Sequence, residues 1–226
     1  MLSLKKKSSI LALTAGLALT LAACGSDDAG STASTATAEA SPTPAAAIDT
    51  LSGEATAVTL DPSFLEGLTA LQLTPATVGS ATLEGARLEF PITGGNVTVF
   101  DPASGVDPYV QGLINHDGSG LQLTGANGAV VQLTDFVVDP AESVLTGKVT
   151  VNDEVFAESA PLFFLDGSTL NPLAVNEADG TAVLEGTTVS LTQTAADALN
   201  MVFETDALSE FFLVGVAEIT VALPTS

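Results

Sequence analysis

Short apolar runs separated by turn-forming residues recur at regular spacing along the chain from residue 56 to residue 223. The runs are rich in Val, Thr, Leu and Phe, and pairs such as Asp117-Gly118 and Asn127-Gly128 stand between them. This rhythm is typical of sandwiches and barrels. It predicts an all-β domain, an antiparallel β-sandwich of about 10–12 short strands. The predicted strands cover residues 56–60, 81–90, 96–100, 109–115, 120–124, 129–138, 144–151, 155–160, 162–165, 182–184, 187–191 and 216–223.

Two segments break the strand pattern and predict short capping helices. Asp61 and Pro62 suit the N-cap and the first position of a helix. Residues 194–197 have the spacing of a capping box before an apolar segment, 198–203.

The two helical segments lie in similar sequences. Residues 56–68 align without gaps on residues 187–199, and residues 78–83 match residues 214–219. If this is a repeat and not a chance match of Thr- and Ala-rich sequence, the two ends of the domain pack together and each helix caps one end of the sandwich.

The N-terminus has the order of features found in secretory signals. Lys5, Lys6 and Lys7 precede an apolar run at 10–21 that is too short to span a bilayer, which needs about 20 residues. The run ends in Leu-Ala-Ala-Cys (21–24), which resembles the lipobox of bacterial lipoproteins. The resemblance implies a signal peptide at 1–23, lipid attachment at Cys24 and an exported protein anchored on the extracytoplasmic side of a membrane. The alternative is a plain signal peptide with an unrelated cysteine.

The segment after Cys24 is Ser, Thr, Ala and Pro without large apolar residues. Such a composition cannot bury enough surface to offset the entropy of ordering. We expect residues 24–47 to be a flexible tether and residues 48–226 to be the folded domain.

The chain is strongly acidic. Cleavage before Cys24 would leave Arg87 and Lys148 against 27 acidic residues, a net charge of −25. Phosphate recognition depends on Lys and Arg, so nucleic acid is excluded as a partner. The acidic surface indicates a soluble exported domain.

The residues that most chemistries require are scarce. His116 is the only histidine and Cys24 the only cysteine, so a zinc or copper site of several His or Cys ligands is excluded. Ser119 follows His116 without the elbow motif of a serine hydrolase. A pair of carboxylates for glycoside hydrolysis stays open, but Trp is absent and Tyr109 is the only tyrosine. We expect no enzyme, no metal and no cofactor on these grounds.

The segment around His116 predicts a hairpin. Residues 113–115 and 120–123 would pair across Asp117-Gly118, a favoured two-residue turn. His116 would then flank the turn and be half exposed.

Three segments together resemble the HtaA-like domains of bacterial surface haem-uptake proteins. They are Ser63-Phe64, residues 112–118 (Gly-Leu-Ile-Asn-His-Asp-Gly) and residues 191–203. The resemblance implies an all-β surface domain and haem held by a tyrosine with a neighbouring histidine. His116 falls at the histidine, whereas Gly67 falls at the tyrosine, and Tyr109 would have to replace it from another strand.

We therefore expect a lipid-anchored envelope protein with a non-catalytic binding or structural module. The first alternative is capture of haem or a small apolar ligand, with His116 and Tyr109 as the candidate ligand-binding residues. A carboxylate-based hydrolase ranks last. The expected partners are the membrane, through the lipid anchor, and an apolar ligand or a surface protein; the oligomeric state stays open. A deep apolar pocket near His116 would favour ligand binding, and a filled sandwich a structural role.

Overall fold

A computed structural model describes residues 42–224, so the predicted signal peptide and lipid attachment at Cys24 lie outside the described residues. The strands are β1 (Ala46–Ile48), β2 (Glu54–Leu60), β3 (Thr74–Gly79), β4 (Thr82–Glu84), β5 (Arg87–Pro91), β6 (Gly94–Val99), β7 (Val110–Thr124), β8 (Val130–Asp139), β9 (Val144–Val151), β10 (Glu154–Asp166), β11 (Ala174–Asn176), β12 (Thr181–Leu191) and β13 (Leu213–Ala222). The helices are α1 (Pro62–Ala70) and α2 (Gln193–Phe203), with a 3-10 turn at Pro102–Ser104.

All strand pairs in this part of the chain are antiparallel, which confirms the predicted all-β class. The 13 strands form one hydrogen-bonded sheet in the order β1-β6-β7-β8-β9-β10-β12-β13-β2-β5-β4. Strand β11 pairs with β12 and strand β3 with β7. The first strand begins at Ala46, two residues before the predicted start of the domain.

Three of the strands run through a predicted break, because bulges interrupt their apolar pattern without ending them. Strands β7, β10 and β12 each join two predicted strands, and the register shifts inside each of them. In β12 the shift lies at Gly186, whose φ of +108° favours glycine. In β7 the bulge places residues 117–119 opposite Asp135 alone, and Ile114 and Leu121, an odd number of residues apart, are both buried on either side of it.

The sheet curls so that distant strands meet across its interior. Strand β7 is third along the sheet and β2 is ninth, yet a side chain of β7 is hydrogen-bonded to one of β2. Strand β5 also contacts β7. The apolar core therefore lies inside the curl, between parts of the sheet that face each other as the layers of a sandwich do.

Helix α1 begins as predicted. The Asp61 carboxylate accepts a hydrogen bond from the Ser63 backbone N–H at 2.8 Å, and Pro62 occupies the first turn. Helix α2 begins one residue before the predicted cap, because the Thr192 hydroxyl, not Thr194, caps it by accepting from the Ala195 N–H at 3.1 Å.

Both helices lie at the same end of the sheet, so the prediction of one helix at each end is wrong. Strands β2 and β12 flank β13 and are both antiparallel to it, hence they run in the same direction. Each continues into its helix at its C-terminal end. We call this the helix end; the opposite, loop end carries the start of β7, the β8–β9 turn and the end of β10.

The first pair of similar segments, residues 56–68 and 187–199, also has similar structure. Strand β2 with α1 and strand β12 with α2 are equivalent units, and they flank the closing strand β13. The beginning and the end of the domain, strands β2 and β13, therefore pack together as expected. The second pair does not, since residues 78–83 span the turn between β3 and β4 whereas residues 214–219 form a continuous strand.

Neither helix of the described residues is long and apolar enough to cross a membrane.

Candidate ligand cavity

His116 is buried in the middle of β7, with 1% of its surface exposed. The prediction that it flanks a hairpin turn and is half exposed is wrong. Residues 113–123 do not fold back on themselves; they continue as one strand that pairs with β8 on one side. On its other side the strand pairs with β6 and then with β3.

The residues predicted to form the hairpin turn form a bulge instead. The register with β8 shifts between His116 and Gly120. Gly118, with φ of +71°, donates its backbone N–H to the Asp135 carboxylate at 2.8 Å, and its carbonyl accepts from the Ser80 N–H at 3.1 Å. Asp-Gly supplies a positive φ equally well in a hairpin and in a bulge. Here the neighbouring strands decide in favour of the bulge.

Both ring nitrogens of His116 are hydrogen-bonded. Nδ1 lies 3.0 Å from the Pro91 carbonyl oxygen, which can only accept, so Nδ1 carries the proton. Nε2 then accepts from the Thr56 hydroxyl at 3.1 Å. Burial lowers the pKa of His116, and its bonds to backbone carbonyls oppose this only in part. His116 is thus a neutral bridge between β7, β5 and β2.

The lowered pKa predicts a stability change with pH. The unfolded chain protonates this imidazole below about pH 6.5, whereas the folded chain resists protonation. The free energy of unfolding should therefore have its full value above that pH. It should fall as the pH drops towards 5, by up to about 1.4 kcal/mol per pH unit. Urea unfolding at several pH values checks this against His116→Gln, which lacks the titrating group. Parallel pH curves for the two chains would show that His116 is not held neutral.

Ser119 does not form a nucleophile pair with the imidazole. Its hydroxyl is fully buried and donates to the backbone carbonyl of His116 at 3.0 Å. Within residues 42–224 no group of three or more His, Cys, Asp or Glu side chains is arranged to hold a metal ion.

An apolar cavity of about 390 Å³ lies inside the curled sheet, towards the loop end. Phe90, Phe136 and Phe163 line it and pack edge to face, with ring centroids 5.2 Å and 6.4 Å apart along the row. Its wall is otherwise mainly aliphatic, from Val58 and Leu88 to Ala217 and Ile219. Well-packed interiors hold few voids larger than a water molecule. This cavity is therefore a feature of the fold that packing alone does not require.

A second apolar cavity, of about 190 Å³, adjoins the first. It lies between β1, β6 and β7 on one side and β11, β12 and β13 on the other. Val110, Pro140, Leu184 and Ile219 line both cavities. The two spaces share these lining residues, so the apolar interior extends along the sheet.

The two candidate ligand-binding residues have different positions relative to the first cavity. Tyr109, just before β7, lines it and is partly exposed. His116 does not line it, but both of its neighbours do: Thr56, its hydrogen-bond partner, and Phe90, whose ring centroid lies 6.5 Å from the imidazole. The aliphatic wall could not be predicted from the sequence, because its residues come from most strands of the sheet.

Gly67, the residue that aligns with the family's tyrosine, lies in α1 and does not line the cavity. A Cβ atom added there would lie 3.0 Å from the Phe212 ring, tighter than an ordinary contact. The space that a side chain would need is therefore already occupied by Phe212.

Comparison with known proteins shows a similarity of fold and no significant similarity to a family model or a curated sequence. No family model matches the chain, and no curated protein sequence matches it significantly. Among solved structures, the C-terminal domain of HtaA from Corynebacterium glutamicum superposes with a TM-score of 0.55 at 15% identity, over 77% of this chain and 99% of that domain. The fold resembles that of an HtaA domain. The N-terminal domain of the same protein matches with a TM-score of 0.47 at 14% identity, over 77% and 99% of the two chains.

Proposed function

We propose that residues 42–224 form a non-catalytic domain that binds a small apolar ligand in the larger cavity. The observation that carries the proposal is the cavity itself, 390 Å³ of apolar space within the curled sheet. Ligand pockets are typically about 300–1,000 Å³, mostly apolar, with a few polar groups that orient the ligand. A purely structural module would gain stability by filling this space.

Tyr109 is the residue that we expect to touch the ligand. It lines the cavity beside Asp107 and Pro108, and its hydroxyl offers one of the few polar groups there. We assign His116 a positioning role, because its ring nitrogens are engaged by Thr56 and Pro91. It fixes Thr56 and packs against Phe90, and both of these residues form part of the wall.

The residues present do not fit haem in the arrangement that the family resemblance implies. Gly67 has no side chain to coordinate iron, and Phe212 fills the adjacent space. His116 would have to break its hydrogen bond to Thr56 or to Pro91 before either nitrogen could face a ligand. We therefore derive no haem chemistry from this site.

The N-terminal sequence supports the cellular setting of this proposal. The basic residues, the apolar run and the Leu-Ala-Ala-Cys motif favour export and acylation of Cys24. Two or more acyl chains give stable anchoring, since each buried methylene contributes about 0.8 kcal/mol. We propose that the tether holds the binding domain on the extracytoplasmic face of a membrane.

A titration tests the binding function. The mature chain, residues 24–226 produced without the signal peptide, should bind the neutral apolar fluorophore N-phenyl-1-naphthylamine at one saturable site, and dodecan-1-ol should displace it. Absence of saturable binding would overturn the proposal. Haemin provides the second arm: a Soret band that saturates and is lost in Tyr109→Phe or His116→Ala would instead establish a haem site.

A further inference from the structure

At the loop end the lining of the larger cavity includes acidic and hydroxyl-bearing residues. They are Asp107, Asp166, Tyr109, Ser143 and Ser168. Asp107 is exposed and Asp166 is partly exposed. These residues lie in loops or, for Asp166, at the end of β10, all at the loop end, and we call them the rim; the rest of the wall is mainly aliphatic and aromatic.

The carboxylate of Asp166 is held in its charged form. It accepts a hydrogen bond from the Ser168 backbone N–H at 2.9 Å. The backbone and side-chain hydrogen bonds from Ser168 lower the pKa of Asp166. At neutral pH the rim therefore carries negative charge.

No basic side chain of the described residues lines this cavity. Arg87 and Lys148 are the only basic residues between positions 42 and 224. Arg87 is paired with Glu218 at 2.6 Å and Lys148 with Glu158 at 3.4 Å. A carboxylate, phosphate or sulfate group on a ligand would thus meet two carboxylates and no counter-charge.

We infer that the ligand is a cationic amphiphile, with its apolar chain in the cavity and an amine or quaternary ammonium group at the rim. Asp107 and Asp166 supply the negative charge, and Tyr109 offers an aromatic face, which attracts cations. The adjoining second cavity gives a longer chain room to continue. This inference rests on the proposed binding function and adds the charge of the ligand to it.

Three probes with the same twelve-carbon chain test the inference: dodecyltrimethylammonium, dodecan-1-ol and dodecyl sulfate, each below its micelle concentration. Their affinities are measured by displacement of the fluorophore from the mature chain at low ionic strength. We expect the cation to bind about tenfold more tightly than the alcohol, and the anion more weakly than the alcohol. The reason is the Coulomb energy between the head group and the rim carboxylates, charges a few ångströms apart near a protein surface. The preference should shrink in about 1 M salt, where the Debye length is roughly 3 Å.

Matched variants locate the effect. Asp107→Asn combined with Asp166→Asn should remove the preference for the cation, while Asp153→Asn, in the turn at the helix end, should keep it. Tyr109→Leu should reduce the preference and Tyr109→Phe, which keeps the aromatic face, should not. If the alcohol binds and the cation binds no more tightly, or if Asp153→Asn acts like the rim variants, this inference fails and the proposed function stands. If none of the three probes binds, both fail.

Discussion

An Ala217→Phe variant is expected to bind the neutral fluorophore about 100-fold more weakly than the wild-type chain. Ala217 lies on β13, is 4% exposed and lines the larger cavity. A phenyl ring there would occupy the space of several ligand methylenes, each worth about 0.8 kcal/mol. We therefore expect the binding free energy to weaken by about 3 kcal/mol. Fluorescence titration measures the loss.

Val216→Phe is the matched control. Val216 precedes Ala217 on the same strand, and 44% of its surface is exposed, so its side chain points to the opposite face of the sheet. The control should bind the probe as the wild-type chain does. Equal binding by all three chains would mean that the probe occupies another place.

His116→Ala is expected to lower the free energy of unfolding by about 3 kcal/mol. The change leaves a cavity at a fully buried position. It also leaves the Thr56 hydroxyl and the Pro91 carbonyl without their hydrogen-bond partner. Cavity creation in a core typically costs about 2–5 kcal/mol for large-to-alanine changes, and an unsatisfied buried group adds to this. Urea unfolding of the mature chain gives the value.

Leu113→Ala, on the same strand, separates this effect from a general sensitivity of β7. Leu113 is 42% exposed, so its loss should cost much less. A double-mutant cycle with Thr56→Val should also give a coupling energy of about 0.5–3 kcal/mol between Thr56 and His116. If His116→Ala costs no more than Leu113→Ala, the bridging role assigned to the imidazole is wrong.

The local features of the fold could be predicted from sequence because local physics determines them. Asp61 and Pro62 begin α1 through a side-chain cap and a fixed φ, and both effects depend on adjacent residues alone. Strand β9 contains no Asp-Gly or Asn-Gly pair, and it has the predicted bounds Val144–Val151.

The bulges and the environment of His116 could not be predicted, because distant residues determine them. Asp117-Gly118 becomes a bulge through Asp135 on β8 and Ser80 in the turn between β3 and β4. The burial of His116 depends on Thr56, 60 residues earlier, and on Pro91. An Asp-Gly pair beside a histidine has the same sequence whether or not such partners exist.

The cavity is the least predictable feature, since it results from the curl of the sheet and not from a motif. Its lining residues, such as Val58 and Leu165, look like ordinary core positions in the sequence. The resemblance to HtaA-like domains correctly predicted the fold. It did not predict the acidic rim at Asp107 and Asp166, because these two residues lie outside the segments that carry the resemblance.

The most direct test of the central claim is the position of a bound ligand. Crystals of the mature chain grown with 12-bromododecan-1-ol would locate the bromine by its anomalous scattering. We predict a bromine peak inside the apolar interior, in the larger cavity or in the second cavity beyond Leu184. Peaks confined to the outer surface, for example beside the exposed Phe156 and Met201, would contradict the account.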